Sequence, residues 1–321
     1  MDIEALYERA KIIRNVRNFF DKKNYLECDT PLLSPDLIPE SCLEVFETAL
    51  LPPIGSNRKK EPYWLIPSPE VWMKKLIARH GRSLYQICKC FRNGESTGRQ
   101  HSPEFTMLEY YTMEADYRDS LRITEELFSF LLEGRDRADL NPPFIQISVE
   151  EAFWDYAGFD LFMAASSQGS MEEEAQRLGL SPPQGLSVAA LYDLIFIHSV
   201  EPHLIKERPV ALMDYPAFVS CLAKKSQDGK NVERWELYAW GIELANCFSE
   251  ETDTQEVRLF FEKEKAEKER NAHVQHKVDE DYWKLFKNFK KCSGVALGLD
   301  RLIMLLCGHS SIDSILPFPM Q

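Results

Sequence analysis

The chain has 321 residues, 44% hydrophobic and 28% charged, the balance of a globular protein long enough to bury a substantial core. Lys+Arg total 38 against 51 Asp+Glu, a net charge of −13. That argues against a large nucleic-acid footprint, which needs Lys and Arg, while allowing a local cationic pocket for phosphates. No apolar run approaches the roughly 20 residues that span a bilayer. The start, Met1-Asp2-Ile3-Glu4, lacks a secretory signal's basic and apolar regions. Eight irregularly spaced cysteines without an Asn-x-Ser/Thr acceptor read as reduced thiols, so a cytoplasmic location is expected.

Residues 3–20 place Ile3, Leu6, Ala10, Ile13, Val16 and Phe20 at helical steps and predict an amphipathic helix. Asn24 and Asp29-Thr30-Pro31 close it, and Pro31, Pro35 and Pro39 argue for an irregular extended segment. Strands are expected at Tyr63–Pro67 and Leu84–Phe91, the second with Cys88, Cys90 and Arg92 on one face. Residues 117–132 and 149 to about 200 read as mainly helical, with Pro/Gly breaks at 134–143 and 179–185. Trp235–Leu244 reads as a strand and Gln255–Asn271 as a charged helix whose Glu262–Lys265 run is a solvated face. Val295–Leu297, Gly298 and Asp300–Leu306 read as strand, tight turn and helix. Strands and helices are segregated rather than alternating, so the expected class is α+β. One domain over 1–321 is expected, with a mainly helical insertion at about 117–210.

Glycine-rich phosphate loops, His-Glu-x-x-His and Gly-x-Ser-x-Gly are missing from the sequence, so side chains must hold any nucleotide. Residues 91–111 read as strand, polar turn, strand, with Arg92 held on one side and Arg99 and His101 presented from the other. A guanidinium forks onto phosphate, so the hairpin suits a polyanion; it equally suits a surface hairpin with an ordinary ion pair. Arg301 falls in the first turn of a helix, against the helix dipole. That makes sense if both face a phosphate; the alternative is Asp300 as a cap with Arg301 in water. Glu243 stands in an apolar strand, where an unpaired carboxylate is costly, and with Glu250 nearby the two suit a shared divalent cation such as Mg2+. Cys88-x-Cys90, and His273 with His276, read as strand alternation and a solvated pair rather than metal ligands.

These segments together resemble motifs 2 and 3 and the intervening substrate strand of class II aminoacyl-tRNA synthetases, in the lysyl branch. Phe20–Pro31 resembles motif 1, Ser68-Pro69-Glu70 the amino-acid loop, and Asp279-Glu280-Asp281-Tyr282 the approach to motif 3. The resemblance implies the class II catalytic fold, an antiparallel sheet flanked by helices. It lacks an anticodon-binding domain before motif 1, and so is similar to the truncated paralogues that ligate lysine or β-lysine to elongation factor P.

By position, the resemblance implies that Arg92 contacts the α-phosphate of ATP, with Asn93 and Glu95 helping to hold the nucleotide. His101 and Ser102 lie along the ATP and Phe105 stacks on adenine. Arg301, beside Gly298, closes over the other ring face or reaches the γ-phosphate. Glu243 and Leu244 meet the nucleotide, with Glu243 and Glu250 at Mg2+. Ser68, Glu70, Tyr111, Asn246 and Glu250 line the amino-acid pocket. Two positions depart from the family: Gly94 lengthens the motif 2 loop before Glu95, and Cys247 stands where glycine is usual and is expected to reshape the pocket.

The expected activity is amino-acid activation as an adenylate, with ATP and Mg2+, and transfer to a lysine of elongation factor P. Charging of tRNA or a small acceptor, or an inactive amino-acid-binding paralogue, are the alternatives. No tRNA or membrane partner is expected, and motif 1 implies a homodimer.

Overall fold

Helix α1 (Ile3–Lys22) opens the computed structural model, which describes residues 3–320; Met1 and Asp2 of the N-terminal reading lie outside them. In chain order follow β1 (Leu26–Glu27), β2 (Leu33–Ser34), β3 (Glu47–Leu50), β4 (Glu61–Leu65), α2 (Glu70–His80), β5 (Leu84–Phe91) and β6 (Glu104–Met113). Then come α3 (Tyr117–Leu132), β7 (Ile145–Ser148), α4 (Val149–Ala152), α5 (Leu161–Ala164), α6 (Gln168–Arg177), α7 (Val188–Ile195), β8 (Val210–Pro216), β9 (Asn231–Ala239) and β10 (Ile242–Ser249). The chain ends with α8 (Thr254–Asn271), β11 (Cys292–Gly298) and α9 (Leu299–Leu306). Residues 1–116 with 250–321 form one compact unit and 117–249 a second.

In the first unit β5 pairs antiparallel with β6, β6 with β11, and β1 adds a short parallel edge to β5. The register sets Gln86 opposite Glu109 and Leu84 opposite Tyr111 across one seam, and Gly294 opposite Tyr111 across the next. Facing pairs share a side of a sheet, so Tyr111, Glu109, Phe105, Gly294 and Gly298 line one face. α1 buries Ala5, Ile12, Val16, Phe19 and Phe20, with Phe20 stacked on Tyr85. That stripe is rotated from the expected one: Ile3 and Ala10 are exposed. Arg9 takes a turn of the inner face to reach Asp300, and Asn24 adopts the left-handed conformation (φ 59°) that ends the helix.

Two sequence expectations change in this unit. The charged run of α8 is not wholly solvated: Glu264 is buried, accepting hydrogen bonds from the Ser41 amide and hydroxyl. Buried Lys268 donates to the carbonyls of Glu40 and Leu43. The expected turn at Gly298 is absent, because β11 runs into α9 directly with Gly298 as the residue before the helix.

The second unit begins at Tyr117, where the helical insertion was expected. It runs to Ser249 and carries its own strands: β7 parallel to β8, then β8, β9 and β10 antiparallel. Its core gathers Val149, Phe153, Leu161, Met171, Leu191, Tyr192, Ile195 and Leu212. The single strand expected at 235–244 is two, because Trp240 and Gly241 turn with φ of 56° and 71°, a two-residue hairpin connection. Among the described residues no helix is long and apolar enough to cross a membrane.

Candidate active site

The loop joining β5 to β6 is pinned at several points. The Arg92 amide donates to the Pro103 carbonyl, Asn93 bridges to Glu44, and Gly98 and His101 exchange backbone hydrogen bonds. Gly94 has φ 71°, and its amide donates to the Asn93 side chain, so the extra residue is absorbed as a left-handed step. Arg92 projects from the end of β5 over the Phe105 ring, 5.2 Å from its centroid, with Glu95 3.8 Å away. Arg301, half-buried on α9, donates through Nε to the Gln100 carbonyl at 3.0 Å. His101 lies in the field of both cations: burial first, then Arg301, hold its pKa below the ordinary 6.5. Glu95 opposes and Arg92 adds to the lowering. Three basic side chains and one aromatic ring thus converge from the loop and α9, the arrangement a nucleoside polyphosphate requires.

Asp300 does not cap the helix. It is buried, accepts the Thr106 amide through Oδ2 at 2.7 Å and pairs through Oδ1 with Arg9 at 2.6 Å. α9 is otherwise buried on nearly every side, so Arg301 is its one cation and points where the loop is.

The same face of β6 carries a second, opposite constellation. Ser68 lies in the bend before α2 and Glu70 in its first turn, where a carboxylate suits the helix dipole. One turn on, Lys74 is 1% exposed and pairs with Glu70 Oε1 at 2.5 Å and Glu250 Oε2 at 2.7 Å. Glu250 follows β10, its amide donating to the Cys292 carbonyl. Buried Tyr111 donates its hydroxyl to Glu109 Oε1 at 2.8 Å, while Glu109 Oε2 is buried with no hydrogen-bond partner. Burial, then repulsion from Glu70, holds the Glu109 carboxyl well above the ordinary 4.5. Burial pushes Glu250 up to about 7 against the pull of Lys74. Burial pulls Lys74 down, but Glu250 and then Glu70 raise it well above 10.5, so it is an ammonium. Burial and then Glu70 push the Glu40 carboxyl up to about 7, while Arg92, Lys268 and Lys74 pull it down.

In the second unit β10 carries Glu243, Leu244 and Asn246. Register shifts between Glu243 and Ala245, so Leu244 is the extra residue of a bulge. Glu243 then faces Tyr238 and Asn246 faces Glu236. Those partners are two apart on β9, so an odd spacing still puts Glu243 and Asn246 on one face. Glu236 accepts hydrogen bonds from Tyr215, Tyr238 and Arg234, and the Asn246 side-chain oxygen is buried without a partner. Cys247 faces Trp235 on the opposite side and is 1% exposed. Its side chain therefore points away from Asn246, and the expected intrusion into the face carrying Asn246 does not occur.

Residues 3–321 match the family described as tRNA synthetases class II (D, K and N). The chain belongs to this family. A protein of Avibacterium paragallinarum named elongation factor P–(R)-β-lysine ligase is 36% identical over 99% of this chain and 96% of its own length. Relatives of the same name from Proteus mirabilis (strain HI4320) and Haemophilus influenzae (strain PittGG) are 35% and 34% identical. They match over 99% and 100% of this chain and 95% and 96% of their own lengths. The expected class II fold, and a ligase of the synthetase type, stand on these matches.

The sequence reading did not single out three residues that the structure brings into this cluster, Lys74, Glu109 and Gly294. Lys74 lies four residues after Glu70 on a helix, an i,i+4 pair visible in the sequence. Glu109 interrupts the apolar run Met107-Leu108-Glu109-Tyr110-Tyr111, the same oddity that marked Glu243. Gly294 gave no local signal. A Cβ there would lie 2.5 Å from both Glu250 Oε1 and Tyr111 Cε1, so the pocket depends on its bare backbone.

Proposed function

We propose that this chain activates lysine or β-lysine with ATP as an aminoacyl-adenylate and transfers it to a lysine side chain of elongation factor P. The observation that carries the reading is the buried acid group. Three carboxylates (Glu70, Glu109, Glu250) face one ammonium (Lys74), a formal 1 − 3 = −2. That charge is matched by a substrate with two ammonium groups. Phe105, under Arg92, precedes Glu109 by four residues on the same face of β6, so an amino acid anchored by its ammonium groups directs its carboxylate toward a nucleotide held by Arg92 and Arg301.

In the first step an amino-acid carboxylate oxygen bonds to the α-phosphorus of ATP, and the bond to the bridging oxygen of pyrophosphate breaks. Arg92 and Arg301 stabilise the charge that develops, His101 and Ser102 lie along the phosphates, and Asn93 and Glu95 hold the loop. Arg92 covers one face of Phe105, leaving the other for adenine. In the second step the acceptor amine attacks the adenylate carbonyl and AMP leaves.

The donor set suits Mg2+, which is held by one or two carboxylates together with phosphates and water. Among the described residues no three His, Cys, Asp or Glu side chains form a closed metal cage. Glu243 would offer an oxygen, as would Glu250, whose other oxygen is on Lys74. When bound, Mg2+ would neutralise phosphate charge. Assigning Glu243 and Leu244 to the nucleotide, and Asn246 to the amino acid, rests on the resemblance and on the shared face of Glu243 and Asn246. A translation-factor acceptor places the enzyme in the cytoplasm. Exposed Leu26, Leu33, Leu50 and Leu51 support a homodimer.

ATP–pyrophosphate exchange with a panel of amino acids, then acceptor assays with elongation factor P and total tRNA, tests this. We expect exchange with lysine or (R)-β-lysine and labelling of the factor alone. No exchange with any amino acid would end the activation reading, and labelling of tRNA alone would end the protein-acceptor reading.

A further inference from the structure

Lys74 is the least expected side chain in the acid group. A pocket for ammonium groups already contains one, supplied by the protein and 1% exposed. It is not a neutralised bystander: it bridges carboxylates from two separate segments, Glu70 on α2 and Glu250 after β10, at 2.5 and 2.7 Å. The contact to Glu70 is a charge-assisted hydrogen bond and the contact to Glu250 a close ion pair. The group therefore divides in two. In formal charge, Glu70, Glu250 and Lys74 together count 1 − 2 = −1, and Glu109, with one oxygen on Tyr111 and the other without a hydrogen-bond partner, supplies the second negative charge when it ionises.

We propose that Lys74 is a specificity-determining positioning residue: a resident ammonium that fills the station between Glu70 and Glu250 and so directs the substrate's side-chain ammonium to Glu109. This rests on the amino-acid activation proposed above. Were the station empty, the space of a butylammonium would lie between two carboxylates, the better-charged of the two stations. A diamino acid would lodge its side-chain ammonium there, and its carboxylate would be drawn from the nucleotide end. Lys74 touches neither the reacting carboxylate nor the phosphates; it acts through the two glutamates.

Exchange kinetics in the full-length chain test this. Lys74→Met is expected to leave the ATP KM within about threefold. It should lower the preference for lysine, or β-lysine, over its one-carbon-shorter homologue by roughly tenfold, the scale at which a pocket separates neighbouring methylene homologues. Lys74→Ala should recover that preference with added n-propylammonium and not with n-propanol, which fills the same space without charge. Lys74→Arg, which keeps the charge and covers the case in which the neutral variants do not fold, should hold the preference within about threefold. An unchanged preference in Lys74→Met, equal rescue by propanol, or a lost preference in Lys74→Arg each overturns the role. If the unaltered chain exchanges with no diamino acid, the activation reading itself has failed, a result separate from these.

Discussion

Two charged regions share one face of β6, and they are built on opposite plans. The cationic end, with Arg92, His101 and Arg301, is half-exposed, and its guanidinium groups rest on a backbone carbonyl, a ring and one distant carboxylate. The acidic end is buried, and its charges are tied to one another at hydrogen-bond distance through Lys74 and Tyr111. A partly exposed cation is stabilised by water until a phosphate displaces it, so the first region does not depend on a buried counter-charge. A buried carboxylate has no such recourse and must be paired, hydrogen-bonded or protonated. The nucleotide end is thus a surface that awaits charge, and the amino-acid end is a core that holds its own.

This contrast breaks first at Arg301. Arg301→Ala removes charge stabilisation from the transition state and little packing, since the Arg301 side chain is only half-buried. Exchange is expected to fall by roughly two to three orders of magnitude, the usual cost of losing one preorganised donor. The melting temperature should hardly move. Near-normal exchange would contradict the role given to Arg301.

At the acidic end the same scale of damage should come with a structural cost. Gly294→Ala would set a methyl 2.5 Å from Glu250 Oε1 and Tyr111 Cε1, both buried, so one must move. Overpacking of this kind costs about 1–3 kcal/mol. We expect a lower melting temperature and an amino-acid KM raised roughly tenfold or more, with the ATP KM little changed. A variant with unchanged affinity for the amino acid would show that the close approach has no functional purpose.

These two positions also mark what the sequence could and could not disclose. Arg301 stood out because a cation in the first turn of an apolar helix contradicts a local rule, and Glu243 because a carboxylate interrupts an apolar strand. Gly294 broke no local rule; its necessity arises from Tyr111 and Glu250, remote in sequence. The bulge at Leu244 was equally silent, yet it alone puts Glu243 and Asn246 on one face. Where a strand ends is likewise a tertiary matter: the apolar run 235–244 spans a hairpin because Trp240-Gly241 adopts left-handed angles. Helix α1 was legible in extent but not in phase, since Arg9 reaches inward to Asp300 from a position that periodicity assigns to the surface.

The carboxylates of the acidic end should titrate above their ordinary range, whereas at the cationic end His101 is held below 6.5. A carboxylate raised in the folded chain binds protons that the unfolded chain has released, so its stabilising effect is present below the ordinary 4.5 and lost as pH rises through the folded value. For Glu250 that window runs from 4.5 to about 7, and for Glu109 it extends upward from 4.5. Ionisation over the same range improves binding of an ammonium. The free protein should therefore lose stability as pH rises toward 7 while the gain in melting temperature from added lysine grows. Glu109→Gln should be as stable as the parent or more so and should bind lysine roughly tenfold less well. A lysine-induced gain that is flat between pH 5 and 8 would exclude ionisation of these acids as the basis of binding.

The smallest effect is expected at the position that first looked most disruptive. Cys247 replaces a glycine expected from the family resemblance, and on sequence alone it threatens the amino-acid pocket. The register opposes it to Trp235, on the far side of β10 from Asn246, and it is 1% exposed. Its thiol is there a small core side chain. Cys247→Gly should therefore act on the fold rather than on selection: a loss of stability on the order of 1–2 kcal/mol from the deleted side chain and the freer backbone. The lysine to β-lysine preference should stay within about twofold. A large change in that preference would mean that selectivity is transmitted through the back of the strand, and the division between a paired acidic pocket and its passive support would have to be redrawn.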